Sequence, residues 1–253
     1  MGRTEFALGN DEAAALALER VIYFGAGKYD AEAFALMGQI ALRKAQYREA
    51  ASWFDRAAQS DTTENGAYYH TLLKASSLIQ EKEVVLAEID LLGLPDGMPD
   101  SLYRAQQYLL GIARFVARDF TGSEDYFKNA IGSSDLKRVQ QLDSLFDVLR
   151  NIKHPNPKTA KLLSILLPGA GQFYAGDIKN GLNSLLLTGG FFALGLAVGV
   201  NYSLIDAAAS VVPWIQRYYI GGFNRAARIA TTKRQEKQDA VYQKILILAA
   251  PRP

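Results

Sequence analysis

The sequence predicts an all-α protein, a helical-hairpin solenoid over residues 1–152 followed by a transmembrane helical hairpin over 158–235. Three observations lead there. Residues 1–132 repeat themselves at spacings of 35 to 38 residues. Gly181 to Val200 is an uncharged run of twenty residues, the length needed to cross ~30 Å of hydrocarbon at 1.5 Å per residue. Charge divides along the same line, with 17 Lys and Arg against 22 Asp and Glu before residue 158 and 11 against 4 from there on. A formal net charge of +2 therefore hides an acidic half and a basic half. Basic flanks beside an apolar run suit an anionic membrane surface, and no nucleic-acid partner is expected.

The repeats come first in the chain. At an offset of 73, Tyr47, Ala50, Trp53, Phe54, Ala57 and Ala58 align with Phe120, Ser123, Tyr126, Phe127, Ala130 and Ile131, and Gly38 meets Gly111. A shift of 35 sets Val85, Ile89 and Leu92 on Ala50, Phe54 and Ala57; a shift of 36 the other way sets Ala14, Leu18 and Val21 there. Four copies of a two-helix unit at this period read as a solenoid. Small residues at Gly38, Ala50 and Ala57 let the two helices of a unit approach, and aromatic side chains fill the remaining space. The same alignment places Met37 and Gly38 on Met1 and Gly2, so the first helix is expected to be half missing and the natural protein to extend upstream.

These residues resemble the tetratricopeptide repeat family. Phe34, Met37, Gly38, Ala50, Phe54 and Ala57 stand at its aromatic, large apolar, glycine, alanine, aromatic and alanine positions. The resemblance covers about residues 1–132 and weakens over 66–98, where Leu73 replaces the glycine and Leu94, Pro95, Asp96 and Gly97 interrupt the pattern. It implies a concave groove lined by the first helix of each repeat: Gln39 and Arg43, then His70, Lys74 and Ser77, then Tyr108 and Ile112. Such a groove, with Arg43 and Lys74 beside Tyr108, suits an extended protein or peptide partner carrying an acidic group. Ala35 stands where chaperone-binding members carry a clamp lysine, which argues against a chaperone tail as the ligand.

Leu136, Val139, Leu142, Leu145, Phe146 and Leu149 recur at helical spacing and predict a capping helix over 136–150. Residues 153–157, Lys-His-Pro-Asn-Pro, form the linker, because neither proline donates a backbone hydrogen bond and each disfavours helix before it. Lys158 to Leu167 is too short to span and reads as an interfacial helix. Pro168, Gly169, Gly171, Gln172, Tyr174 and Gly176 mark a sharp turn. It is not a phosphate loop, since it lacks a preceding strand and a Lys-Ser/Thr helix start. The first span is Gly181–Val200. A second is expected over 202–223, with Pro213 inside it and Asp206 and Arg217 near opposite membrane faces. Residues 236–253 are left as a C-terminal tail.

The segment from Leu167 to Gly176, with Tyr218, Tyr219, Gly221, Gly222 and Ala226 downstream, resembles a C-terminal hairpin of bacterial envelope proteins. These join tetratricopeptide repeats to Leu-Pro-Gly-x-Gly-Gln-x-Tyr-x-Gly. The resemblance covers about residues 158–235 and implies architecture without a reaction.

The sequence carries few residues arranged for chemistry. The chain has no cysteine, and its two histidines, His70 and His154, lie in separate modules without clustered acids, so no metal, cofactor or small-molecule substrate is expected. No nucleophile elbow or Walker loop occurs, and Glu81 and Glu83 read as solvated surface. The leading expectation is a non-catalytic, membrane-anchored scaffold that binds a protein partner and contacts membrane lipid. The alternative is an assembly or transport accessory in which the hairpin, with Asp206 and Arg217, is the active part. Lys153, Lys158, Lys161 and Lys179 precede the first span, Arg217, Arg225, Arg228, Lys233, Arg234 and Lys237 end or follow the second, and residues 201–204 between them carry no charge. This places both ends in the cytoplasm, as a multi-pass protein of the bacterial inner membrane. An upstream signal peptide would instead deliver the repeats to the periplasm.

Overall fold

The protein is described by a computed structural model covering all residues except Ala26, Lys28, Tyr202 and Pro253, and the side chains of Leu204, Asp206, Ala207, Ser210 and Ile215. It is all-helical, with thirteen helices among the described residues. Two compact units divide it: Met1–Phe146 together with Leu246–Pro253, and Asp147–Ile245.

The first unit is built from helix pairs. These are α1 (Gly2–Ala7) and α2 (Asp11–Phe24), α3 (Asp30–Arg43) and α4 (Tyr47–Ser60), α5 (Glu64–Gln80) and α6 (Val84–Leu92), and α7 (Asp100–Val116) and α8 (Phe120–Ile131). Each helix packs on its pair mate, and α2 on α3, α4 on α5 and α6 on α7 continue the stack. One turn closes all four pairs. Gly9, Ala45, Lys82 and Arg118 adopt left-handed φ values of 80°, 55°, 70° and 65°. The N–H of the next residue then donates to the carbonyl five residues back: Asn10 to Glu5, Gln46 to Ala41 and Glu83 to Leu78 at 2.9 Å, and Asp119 to Arg114 at 3.0 Å. This is the bond pattern that satisfies the last carbonyls of a helix while reversing the chain.

Two glycines set how closely pair mates approach. A Cβ on Gly38 would lie 2.7 Å from the Phe54 ring, and one on Gly111 2.7 Å from the Phe127 ring. Both rings are fully buried, so the offset of 73 relates two equivalent contacts. The shift of 36 is equally consistent, since Ala14 and Leu18 are buried and Gly9 matches Ala45 in the turn.

The shift of 35 is wrong by two residues. Val85, Ile89 and Leu92, expected in the core, are 71, 62 and 55 % exposed, whereas Ala87 and Leu91 are fully buried. The turn residue Lys82 follows Ala45 by 37 positions, and at that shift Ala87 and Leu91 fall on Ala50 and Phe54. Ala75, packed with Leu91 and fully buried, therefore takes the glycine position in place of Leu73.

Helix α9 (Leu136–Asn151) follows the last pair. Its Leu142 and Phe146 are fully buried, and the Phe146 ring lies 6.3 Å from that of Phe127. The residues expected as a tail are helical to Ala249, and their last turn belongs to this first unit.

In the second unit, α10 (Pro157–Leu166) begins inside the expected linker. Pro157 takes the first helical position, where its missing N–H costs nothing, and the Asn156 side chain accepts from Lys158 N at 2.9 Å. The expected open turn contains a short helix, α11 (Ala170–Tyr174), set off by Gly169 at φ 94° and Gly176 at φ 82°. After Gly176 the Asp177 N–H donates to Gln172 O at 2.8 Å, repeating the closure seen in the helix pairs. Helix α12 (Ile178–Asn201) contains the apolar run.

Helix α13 (Leu204–Ala249) departs from expectation, because no break separates a second span from a tail. It runs for 46 residues through Pro213, about 69 Å, and only α12 among the described helices is long and apolar enough to cross a membrane. Charged residues from Arg217 onward dilute its apolar first part. The contacts between α12 and α13 recede in step from the C-terminal end of α12: Val211 lies near Gly195, Trp214 and Tyr218 stack on Phe191 at 6.1 and 5.3 Å, and Gly222 lies beside Ser184. The two helices thus run antiparallel.

Candidate functional site

The expected groove residues do not line one surface. Arg43 is tied to the first helix pair, with Nη1 2.8 Å from Asp11 Oδ1 and 3.2 Å from Phe6 O, and its guanidinium 3.8 Å above the Phe6 ring. Gln39, one turn earlier on α3, is half-buried. Lys74 sits between two carboxylates, Asp55 on α4 at 2.9 Å and Asp90 on α6 at 3.0 Å. Burial alone would lower the Lys74 pKa, yet hydrogen bonds and charge from Asp55 and Asp90 raise it overall. Both cations expected to hold an acidic ligand group already have acidic partners.

His70 and Ser77 face inward. The Ser77 hydroxyl donates to Leu73 O at 2.8 Å and is 1 % exposed. His70 Nε2 lies 3.3 Å from Asp61, which also accepts from the Thr63 N–H at 2.9 Å and the Thr63 hydroxyl at 2.8 Å. The Thr63 backbone bond is the main cause that holds the Asp61 carboxyl below its usual pKa, and burial lowers that of His70. These placements follow from the two-residue slip. At the shift of 37 the equivalents of Gln39 and Arg43 are Ser76 and Gln80, which the sequence reading missed.

Tyr108 is half-buried on Phe127, and its hydroxyl donates to Leu246 O at 3.4 Å, an acceptor from the chain's own C-terminal segment. Arg138 of α9 holds the same segment. Its Nε donates to Leu248 O at 3.0 Å and its Nη2 to Ala250 O at 2.9 Å. Nothing in the local sequence flags Arg138, since a Lys-Arg pair beside an apolar stripe reads as surface.

The turn residues of the second unit form a buried polar node. Gln172 is 1 % exposed; its Oε1 accepts from Ser164 Oγ at 2.8 Å and its Nε2 donates to Gly222 O at 2.9 Å. Gly171 N donates to Ser164 Oγ at 3.0 Å, and any Cβ there would collide with Ala160 O. A Cβ on Gly169 would likewise strike Gly181 O, and one on Gly181 would lie 2.8 Å from the Phe173 ring. Pro168 follows the end of α10, where its lack of an N–H helps stop the helix. The Tyr174 hydroxyl lies 2.9 Å from His154 Nδ1 and accepts from Asn156 N at 3.2 Å. Tyr219 donates its hydroxyl proton to Ile165 O. The glycines and polar side chains of the motif therefore fix helix-to-helix contacts of α10, α11, α12 and α13. Arg217 is exposed and lines a cleft between α12 and α13, whereas the Asp206 side chain lies outside the described residues.

Among the described residues there is no group of three His, Cys, Asp or Glu arranged to hold a metal ion. No family model, characterised protein or solved structure matches the chain.

Proposed function

We propose that this protein is a membrane-anchored scaffold in which the second unit holds the chain in a bilayer and the helix pairs, as a tetratricopeptide-type solenoid, recruit a protein partner. The observation that carries the anchor is the exposure of α12. In its most apolar window only 6 % of positions are buried, and Leu186, Phe192, Leu196 and Val200 are 64, 54, 71 and 83 % exposed. Burying one such side chain is worth about 1.5–3 kcal/mol, so leaving the helix in water forgoes on the order of 10 kcal/mol that lipid would supply. Antiparallel contacts with α13 favour a hairpin over a single crossing, with Trp214 and Tyr218 as aromatic anchors. Leu162, Leu166 and Leu167 are also exposed, whereas Ala160 and Ser164 on the other face of α10 are buried, as an interfacial helix requires.

Recruitment is supported by the fourfold recurrence of the helix-pair turn and by α6. Val85, Ile89 and Leu92 form an exposed apolar stripe that the rest of the first unit leaves uncovered. Full-length protein should fractionate with membranes and resist carbonate extraction. Leu186→Lys with Leu196→Lys should release it, while Ile89→Ser should leave it membrane-bound and abolish partner recovery. A wild-type chain that is soluble and monomeric without detergent would refute the anchor. Partner recovery unchanged by Ile89→Ser would move the active role to the hairpin.

A further inference from the structure

The seam between α12 and α13 is polar in a segment whose outer surface is apolar. Asn180, Ser184 and Thr188 follow one another at four-residue intervals on α12, and Arg217, Arg225 and Arg228 follow one face of α13. All six line a cleft of about 290 Å³, close to the smallest ligand pockets, about 300 Å³. Two features of the cleft are unresolved by the protein's own contacts. Thr188 is 1 % exposed, and its buried hydroxyl has no hydrogen-bond partner. A buried polar group in that state is destabilising, and a ligand oxygen would supply the missing acceptor. The three arginines make no ion pair among the described residues, and like charges stacked along one helix face repel one another.

Among the described residues one acid lies beside them, and a single carboxylate offsets only part of the charge of three guanidiniums. Asp177 borders the adjoining cleft with Arg225, Arg228 and Lys233, and accepts from Asn180 N at 3.0 Å. Hydrogen bonds from Asn180, with smaller help from Arg225 and Lys233, hold its carboxyl below the usual range. The Gln172 amide at the cleft floor is spent on Ser164 and Gly222. What remains is a set of donors without acceptors, three guanidiniums and a threonine hydroxyl, while the Asn180 amide is spent on Asp177. Guanidinium forks match the geometry of phosphate oxygens, and basic pockets between membrane helices suit anionic headgroups.

We propose that this cleft is a phosphate-binding site, with Arg225 and Arg228 gripping the phosphate oxygens and Thr188 donating its hydroxyl proton from the apolar end. The phosphate belongs either to the headgroup of an anionic phospholipid, a source that rests on the membrane reading above, or to free phosphate. The test uses the full chain, delipidated in detergent and returned to vesicles of 30 % phosphatidylglycerol in phosphatidylcholine or of phosphatidylcholine alone, with bound phospholipid counted by native mass spectrometry. Inorganic phosphate is titrated calorimetrically against the same detergent-solubilised protein.

Wild type should retain phosphatidylglycerol at least about tenfold over phosphatidylcholine. Arg225→Gln with Arg228→Gln should abolish that preference, Arg225→Lys with Arg228→Lys should keep most of it, and Thr188→Val should weaken it by about three- to tenfold. Helicity by circular dichroism checks each variant, and the lysine pair separates loss of charge from loss of fold. Phosphate binding lost in the glutamine pair, without any lipid preference, assigns the cleft to free phosphate. No lipid preference and no phosphate binding in a helical wild type overturns the site. Carbonate extraction of the same preparations isolates the membrane reading, since a chain that leaves the membrane yet binds phosphate sinks the anchor and keeps the cleft.

Discussion

Replacing Gly38 by alanine tests the closest contact in the first unit, and its outcome is set by two opposing effects. Alanine is a better helix former than glycine by about 1 kcal/mol, which favours the variant at any mid-helix site with room for a methyl group. At Gly38 there is no room. The new Cβ would lie 2.7 Å from the Phe54 ring and must gain at least 0.7 Å to reach the 3.4 Å of ordinary contact. The ring is fully buried between α3 and α4, next to Ala41 and Ala50, so it cannot swing into solvent. The helices must separate instead. Overpacking of this kind costs about 1–3 kcal/mol, rising toward the upper end where backbone has to move. A net loss of about 1–2 kcal/mol follows, or a fall of roughly 2–8 °C in Tm for a chain of this size.

The decisive measurement is a double-mutant cycle in full-length protein, followed by thermal circular dichroism in detergent. Phe54→Leu alone opens a cavity and should destabilise; added to Gly38→Ala, it should supply the space the methyl group needs. The double variant should therefore be more stable than the sum of the single effects by about 1–2 kcal/mol. Gly111→Ala with Phe127→Leu should behave the same way, because Gly111 faces Phe127 at the same distance. Additive effects, or a Gly38→Ala protein that melts higher than wild type, would refute the close-approach argument.

The other predictions concern the turn, the buried histidine, the C-terminal segment and the orientation in the membrane. Ala45→Gly relieves a left-handed residue and should raise stability by about 0.5–1 kcal/mol, seen as a Tm increase absent from Ala58→Gly in the right-handed last turn of α4. His70 has a folded pKa below its ordinary 6.5, so the unfolded chain takes up the proton first; stability should be full above pH 6.5 and fall as pH drops below it, and His70→Gln should flatten that part of a Tm-against-pH curve. Removing residues 246–253 strips Arg138 and Tyr108 of their acceptors and should cost roughly 1.5–3 kcal/mol for the charged hydrogen bonds, matched by Arg138→Met in the intact chain. With no native cysteine to interfere, an impermeant thiol reagent on intact cells should label Asn201→Cys and spare Gln59→Cys if both ends are cytoplasmic; the reverse pattern refutes that topology.

Much of the helix order was readable because it rests on spacing. The capping helix over 136–150 is α9 at Leu136–Asn151, and the apolar run at 181–200 lies within α12. The Gly38 and Gly111 pairing was readable too, because glycine and phenylalanine are distinctive and the same contact recurs. Helix α6 was not. Its sequence, Val-Val-Leu-Ala-Glu-Ile-Asp-Leu-Leu, is apolar on nearly every face, so periodicity allows more than one register. The feature that fixes the register is the left-handed residue of the turn, and Gly9, Ala45, Lys82 and Arg118 share a backbone conformation without sharing a side chain.

That ambiguity propagated directly into the expected groove. A slip of two residues on a helix rotates every position by about 200°, which exchanges the outer face for the inner one. Ser77 and His70 thereby appeared as contact residues although they lie inside, and Ser76 and Gln80 went unnoticed on the other side. Lys74 shows a second limit of sequence reading. Its partners, Asp55 and Asp90, stand 19 and 16 residues away on two different helices, and no local pattern links them. A carboxylate on each side turns a lysine that looks like a ligand for acids into a bond between helix pairs. In the second unit the logic reverses, because Arg217, Arg225 and Arg228 look like ordinary basic flanks in sequence, and only the approach of Asn180, Ser184 and the unpartnered Thr188 gives them a common object. The same residue type is therefore committed in one unit and open in the other, and the difference lies in what the fold brings opposite it.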